Sequence, residues 1–537
     1  MMKGYLSKEI SSKEGFLPFL LAILCLALYL PNLGGRDFWS GRETLYAQVA
    51  RETLWEGHWF ALHYNGEVYC NKPPLYFWFI ALLSMPFGDV TPFSLRLPLA
   101  LSALGTVLVV FYLGKSLFSV RTGFLAGVIL ASSPQFQKYA CVGKLEMLLT
   151  FFIASSIAAF YYGLNSTVNK KKYFLWGWLL MALAILTKGL GFLLIPPVIL
   201  LHLASRRELH RLKETELLLG SILILALMMV WLLPAYIQGG PYYIQGLLGH
   251  FEFHLKQTPR YIKPFYYLCE VFVGLLPWTL LLPAFFFYLR KATAEKREGL
   301  RLPFLWFAAM FIIFCILLSK KSRYVLTLYP AVALMLACLW DTYIEKASPF
   351  WPKIKVVPVV VISLSSGVLM ELIASGALST PTLKGLVAFS FTALGVAVWL
   401  ALRASQYRVI FLSLFLVITS FEMTYMRLSL PRESNAGIER AVCEEILRVM
   451  ESGSSLAVYN FAFFNPDYVF YTKTRVRQLS SEEGLTSFFT SEGRAYCLLS
   501  EGDYQKIKLF TFKITEVKRG YDGKLILVSN KPNHEEK

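Results

Sequence analysis

The sequence has little charge: 16% of its 537 residues are Asp, Glu, Lys or Arg, against 56% apolar, and the mean hydropathy is +0.51. A single soluble core of this length has no use for so much apolar surface, so an ordinary soluble globular protein is excluded. Acids are the scarcer sign, 35 against 53 basic residues, leaving a net charge of +18. Cys/His spacing of the metal-binding type is missing, as is any repeat of solenoid period. The basic excess falls in short loops between apolar blocks, which reports membrane orientation; no nucleic-acid partner is expected.

What is present is a series of apolar blocks from Phe16 to Met426, each near the roughly 20 residues that cross a bilayer as helix. Spans are expected near 16–33, 92–113, 122–139, 145–164, 173–187, 189–203, 216–237, 265–290, 303–318, 324–342, 355–374, 384–402 and 408–427, about thirteen in all. Basic clusters at Lys115–Arg121, Lys170–Lys172, Arg206–Lys213, Arg290–Arg301, Lys346–Lys355 and Arg403–Arg408 then all lie on one side, the cytoplasmic one. That places the N-terminus inside and the C-terminus outside a cytoplasmic (inner) membrane. The first block leads straight into Pro31-Asn32-Leu33-Gly34 with no small-residue cleavage site, so it reads as a retained anchor. Pro73–Gly88 is apolar but short, and counting it as a span would invert every later loop; it reads as an interfacial helix.

The expected fold class is therefore mainly α, a polytopic transmembrane helical protein with a small extracytoplasmic α/β C-terminal domain. Residues 1–430 form the membrane domain, with a first outer loop at 34–91 and a second large loop at 239–264; residues 431–537 form the α/β domain. Within that domain a helix is expected near Ile438–Met450 and another near Ser481–Thr490, with strands near Ser455–Tyr459, Tyr468–Tyr471, Ala495–Leu499 and Lys524–Ser529. Cys25, Cys141, Cys269, Cys315 and Cys338 read as small buried hydrophobes, while Cys443 and Cys497 are a candidate disulfide pair outside the membrane.

Ionisable residues are costly in lipid, so several at the outer ends of spans suggest a polar cavity. The candidates are Arg42, Glu43, Lys72, Lys144, Glu146, Lys188, Lys320, Lys321 and Arg323, all on the outer side in this topology. Ser319-Lys320-Lys321-Ser322-Arg323 runs against the positive-inside trend, which suits an anion such as phosphate; the alternative is snorkelling to anionic lipid headgroups. Ser40-x-x-Glu43 is also a capping box, yet on a helix Glu43 shares with Tyr46, Ala47 and Ala50 a stripe able to border a cleft. Lys72 precedes two prolines at a helix start, where the dipole disfavours a cation, and this favours a functional reading. Glu146 suits either a helix N-terminus or an acid site. His250 and His254 stand four apart and could hold a divalent metal from one helical face, although a third ligand is not evident; no other cofactor is expected.

Arg42-Glu43-Thr44-Leu45-Tyr46-Ala47 with Ala50-Arg51-Glu52, then Asn71-Lys72-Pro73-Pro74-Leu75-Tyr76, resembles the first loop of the aminoarabinose transferase (lipid A modifying) and protein O-mannosyltransferase superfamily. So do Leu145-Glu146-Met147, Leu186-Thr187-Lys188-Gly189, Pro264-Phe265-Tyr266-Tyr267 with Leu276-Pro277-Trp278, and Ser319–Arg323 with Tyr329-Pro330, in the family's order over roughly the first 340 residues. The resemblance implies an inverting GT-C membrane glycosyltransferase: one that moves a sugar from a polyprenyl phosphate, such as undecaprenyl phosphate, to a lipid A-like glycolipid on the periplasmic face. Transfer to a protein acceptor, or transport of a lipid-linked saccharide, are the alternatives. It implies Glu43 and then Glu146 as catalytic carboxylates, with Lys72, Arg42, Tyr46, Lys188, Lys320 and Arg323 on the donor phosphate. The chain departs from the family at Arg42, where an Asp opens the family's Asp-Glu doublet, at Leu45 for Arg, and at Asn71 for the Glu of aminoarabinose transferases. Glu146 stands where many members carry Asp, and His254 takes the place of a family histidine, preceded by Phe253 in place of an acid.

Overall fold

In a computed structural model, the structure describes residues 2–346 and 436–532 apart from positions 40, 190, 257–264, 317–320, 462–463, 492, 508–511 and 519–523, together with isolated positions between 411 and 426. In chain order, α1 (Met2–Tyr29) leads to the first loop. That loop holds α2 (Glu43–Glu56), a hairpin of β1 (His63–Tyr64) and β2 (Glu67–Val68), and α3 (Leu75–Ser84). The hairpin turns on Asn65-Gly66, both at positive φ (57° and 79°), which is what an Asn-Gly two-residue turn requires. At ten residues α3 is shorter than the roughly 20 residues that cross a bilayer as helix.

Then follow α4 (Pro92–Leu117), α5 (Val120–Ala131), α6 (Pro134–Cys141), α7 (Glu146–Asn165), α8 (Lys170–Lys188), α9 (Gly191–Ser205) and α10 (Leu217–Lys256). The membrane part continues with α11 (Phe265–Gly274), α12 (Leu282–Lys291), α13 (Ala294–Ile316) and α14 (Tyr329–Lys346). Six of the described helical segments are long and apolar enough to cross a membrane: 15–32, 92–117, 146–165, 217–249, 294–316 and 322–342. The expected spans 355–374 and 384–402 lie outside the described residues, as does most of 408–427.

Two expected spans are broken. The 122–139 segment divides into α5 and α6 because Pro134 lacks an amide to continue the ladder, and Ser132 and Ser133 turn their hydroxyls back to Val128 O (2.7 Å) and Ile129 O (2.6 Å). The 265–290 segment divides into α11 and α12 around Pro277 and a short 3-10 turn at Trp278–Leu281. Conversely, the expected loop 239–264 is helical as far as Lys256: α10 kinks at Gly240 (φ 65°) and Pro241 starts the next helical run, leaving 257–264 outside the described residues.

Close packing between helices comes from small residues. A Cβ on Gly114 of α4 would sit 2.8 Å from Gly123 Cα of α5, so these backbones touch. Along α7 and α8, Gly163 takes the Phe174 ring, Gly177 takes the Phe160 ring, and Ser156 Oγ donates to Gly177 O at 2.8 Å. Asp341 of α14 accepts from Thr122 Oγ1 at 2.5 Å and pairs with Arg121, fixing the N-terminus of α5.

The C-terminal part holds α15 (Ala436–Val449), β3 (Ser455–Tyr459), α16 (Pro466–Thr472), β4 (Val476–Leu479), α17 (Glu482–Ser491), β5 (Ala495–Ser500), α18 (Glu501–Ile507), β6 (Phe512–Lys518) and β7 (Lys524–Ser529). The sheet order is β4-β3-β5-β7-β6, with β3 parallel to β4 and β5 and the remaining pairs antiparallel. Period-two alternation puts Leu456 and Val458 on one face against α15 and α16, and Ala457 and Tyr459 on the other against α17. Tyr468–Tyr471, expected as a strand, is helical: Asn465 accepts from Asp467 N, Pro466 occupies the first turn, and Lys473 closes it in a left-handed conformation. Cys443 and Cys497 are both free thiols in the apolar layers on opposite faces of the sheet, and burial pushes both up, so the candidate disulfide is not formed.

The described chain divides into two compact units: residues 1–35, 70–76 and 96–429, and residues 36–69, 77–95 and 430–537. Within the second unit the first loop and the C-terminal sheet are knit together. Buried Asp467 accepts from Gly41 N at 3.1 Å and from the Thr44 hydroxyl. Asn65 exchanges hydrogen bonds with the Val476 backbone at 2.8 and 2.9 Å, completing the edge of β4 with a side-chain amide. Arg51 donates to Phe470 O at 2.6 Å and pairs with Asp89 at 2.8 Å.

Candidate functional site

The membrane helices bring three of the expected residues into contact. Val142 is extended and breaks the chain before α7, so Glu146 becomes the first residue of that helix, where its carboxylate suits the dipole. Lys188 ends α8, which Gly189 closes in the left-handed conformation (φ 72°), and a cation suits that terminus. Arg323 lies on a 3-10 segment, Ser322–Leu328, that feeds α14. Because α7 begins where α8 ends and α14's lead-in begins, all three meet at one end of the helices. Lys188 Nζ donates to Glu146 Oε1 at 2.6 Å, and Arg323 Nε lies 2.6 Å from the same oxygen. Glu146 and Lys188 are buried; Arg323 is one-fifth exposed.

Lys72 joins the field of this cluster. It follows Asn71, to whose carbonyl its Nζ donates at 2.9 Å, and it precedes Pro73-Pro74 and α3. Burial, then the neighbouring charge of Lys188, pushes Lys72 down to about 7, with Lys321 and Arg323 acting in the same sense and Glu146 opposing. Four cations, Lys72, Lys188, Lys321 and Arg323, thus act on one another around Glu146. Lys144 places its Nζ 5.4 Å from the centre of the Tyr139 ring.

Arg42, Glu43 and Tyr46 belong to the second unit. Arg42 is exposed at the start of α2 and makes no side-chain cap. Glu43 is 1% exposed; its carboxylate accepts from Trp39 N at 2.6 Å and pairs with the Arg36 guanidinium at 3.4 Å through both oxygens. The carboxylate returns to backbone at Trp39; Ser40, the expected cap residue, lies outside the described residues. Tyr46 packs edge-on against Phe77 at 5.6 Å, beside a small core of Val49, Leu62 and Tyr69. Lys320 and the side chains of His250 and His254 lie outside the described residues; His254 falls in α10. Among the described residues no group of three or more metal-type side chains converges.

Two residues that the sequence reading passed over have clear roles. Tyr324, next to Arg323, places its ring 4.2 Å from Lys188 Nζ, a cation–π contact that fixes the ammonium. Arg36 orients Glu43, and the signal for it was an arginine just after Gly34-Gly35, seven residues before the acid, where a turn can fold the two together.

Residues 71–233 match the family model described as dolichyl-phosphate-mannose-protein mannosyltransferase. The chain is 32% identical over 326 residues to an uncharacterized protein of Aquifex aeolicus, covering 59% of this chain and 63% of that one. It is 28% identical over 336 residues to the undecaprenyl phosphate-alpha-4-amino-4-deoxy-L-arabinose arabinosyl transferase of Pectobacterium carotovorum, covering 59% and 58%. The matched stretch thus spans about three fifths of these curated relatives. In fold, the chain is similar to the ArnT crystal structure from Cupriavidus metallidurans in the apo state (TM-score 0.77, 19% identity, 97% of this chain and 98% of that one). It is also similar to the same protein bound to undecaprenyl phosphate (TM-score 0.75, 21% identity, 96% and 98%).

Fold and helices together define a multi-pass membrane protein with the GT-C architecture. The family model over residues 71–233, the relatives and the order of the motifs make the chain similar to the aminoarabinose transferases and protein O-mannosyltransferases.

Proposed function

We propose that this chain transfers a sugar from a polyprenyl-phosphate-linked donor to a lipid A-like glycolipid on the periplasmic face of the inner membrane. The observation that carries the reading is the Glu146–Lys188–Arg323 contact with Lys72 and Lys321 in the same field. Four cations against one carboxylate leave an excess of positive charge at the end of membrane helices, and a lipid phosphate is the anion that reaches such a place. That a protein of the same fold carries undecaprenyl phosphate supports this choice of ligand.

The charge excess suits the chemistry. A sugar phosphodiester carries one negative charge, and as the anomeric C–O bond breaks the departing lipid phosphate gains a second. Cations already in place therefore hold the transition state more strongly than the ground state. Glu146 keeps Lys188 and Arg323 oriented before the donor arrives, so little reorganisation accompanies the step. Attack by an acceptor oxygen from the opposite side of the anomeric carbon gives inversion without a covalent sugar–enzyme intermediate. Glu43, held by Arg36 and the Trp39 amide, is the proposed carboxylate on the acceptor side.

The sidedness follows from charge. The basic connections 115–121, 170–172 and 206–213 stand at helix ends away from Glu146, so the positive-inside trend puts the cluster on the outer side. On this reading the chain has about thirteen spans, an N-terminus in the cytoplasm and a periplasmic α/β domain from residue 431. The test is transfer from radiolabelled sugar-phosphoryl-undecaprenol in membranes containing the full chain. Label moving to an endogenous glycolipid, and lost in Lys72→Ala, is the expected result. Label moving to protein would reassign the acceptor, and passage of intact donor across vesicles without transfer would overturn the reading in favour of a transporter.

A further inference from the structure

At the other end of α8 the lipid-facing surface is not smooth. A groove of about 860 Å³ runs between the N-terminal halves of α8 and α10, walled by Leu175, Trp176 and Leu179 on one side and Ile222 and Leu223 on the other. Lys171 and Lys172 stand at its rim, both exposed, and neither makes an ion pair with a described residue. Of the acids nearby, Glu214 pairs with Lys170 and Arg211 and Glu208 with Arg211 and Arg206, while Glu216 at the start of α10 makes no ion pair with either rim lysine. Lys171 and Lys172 are therefore both available to an outside anion. Trp176 is half exposed beside the lysines, where an indole suits the boundary between headgroups and hydrocarbon.

Length decides what kind of molecule fits. From Lys171 to Leu179 the groove follows α8 for about 12 Å, close to the depth of one leaflet of a bilayer whose hydrocarbon is about 30 Å thick. A ligand with an anionic head and an apolar tail of that reach matches both the rim and the walls. From Lys172 to Lys188 the helix rises about 24 Å, so this site and the Glu146 cluster face opposite membrane surfaces. The occupant is thus a different molecule from the proposed sugar donor, and the inference does not rest on the transfer reading.

We propose that the α8–α10 groove is a binding site for an anionic phospholipid, with its phosphate against Lys171 and Lys172 and an acyl chain along Leu175, Leu179 and Leu223. A zwitterionic lipid brings its own cation to the same rim and binds less well. The test is native mass spectrometry of the full chain in detergent, titrated with phosphatidylglycerol or phosphatidylcholine. The wild type is expected to retain phosphatidylglycerol roughly thirtyfold better, the combined effect of two lysines on an anionic headgroup. Lys171→Gln with Lys172→Gln is expected to abolish the preference, and both positions are exposed, so the fold is spared. Ala226→Phe fills the groove while leaving the lysines intact, and is expected to lose retained phosphatidylglycerol. Equal retention of both lipids by the wild type would overturn the proposal, as would an unchanged preference in the lysine double variant. Wild-type retention in Ala226→Phe would also overturn it, because the lysines would then be attracting headgroups without a groove.

Discussion

Lys72 turns donor binding into a pH measurement. Burial and its cationic neighbours hold it down to about 7, so near neutral pH roughly half the molecules lack this charge. A phosphate placed beside it favours the ammonium: two unit charges 4 Å apart at an effective dielectric of 20 interact by about 4 kcal/mol, and partial solvent exposure brings this to roughly 1.5–3 kcal/mol. Binding therefore raises the pKa of Lys72 and takes up a proton. Affinity is then full below pH 7, falls as pH rises through 7, and levels off at the pKa of the complex. The drop should reach about tenfold per pH unit over one to two units. The assay is the Kd of undecaprenyl phosphate for the purified full chain from pH 6 to 9. Lys72→Ala should bind roughly 10- to 100-fold more weakly at pH 6 and lose this step, and Lys72→Arg should carry tight binding to higher pH. A wild-type curve flat across pH 7, or an alanine variant with the same step, would refute the reasoning.

Other consequences follow from the same contacts. Glu146→Gln leaves Lys188 and Arg323 buried together without their counter-charge, which should cost about 3–5 kcal/mol and lower the thermal midpoint; added undecaprenyl phosphate should recover part of the loss. Glu43→Gln keeps the size of the side chain but removes the charge facing Arg36, so transfer should fall while donor affinity in the Lys72 assay stays at the wild-type value. Asp467→Ala strips acceptors from Gly41 N and the Thr44 hydroxyl; limited proteolysis should then cut within residues 36–69 well before the wild type is cut. Asn65→Ala loses two hydrogen bonds to Val476 and a tolerated positive φ, for about 2–3 kcal/mol in urea unfolding followed by a probe on the C-terminal sheet.

Much of this arrangement is legible in the chain itself, for identifiable reasons. Apolar length and the sign of the loops put Glu146, Lys188 and Arg323 at one end of the helices, because each terminates or begins a span. That they touch is a matter of lateral packing, set by Gly163, Gly177 and their aromatic partners, which spacing does not encode. Breaks inside helices are harder to read: Ser132-Ser133-Pro134 splits one expected span into α5 and a more polar α6, and Gly240-Pro241 joins two helical runs across a kink where Gly and Pro ordinarily announce a loop. The union of the first loop with the C-terminal sheet rests on pairs more than 400 residues apart, Asn65 with Val476 and Thr44 with Asp467, for which local sequence offers no signal. Tyr468–Tyr471 looks like a strand by composition, and the cap at Asn465 overrides that preference.

The central claim is that the cations around Glu146 receive the lipid phosphate. Its most direct test is a cryo-EM structure of the full chain with undecaprenyl phosphate, in which the phosphate oxygens should lie within hydrogen-bond distance of Lys72 and Arg323 with Lys188 still on Glu146. A phosphate bound away from all three cations would contradict the account.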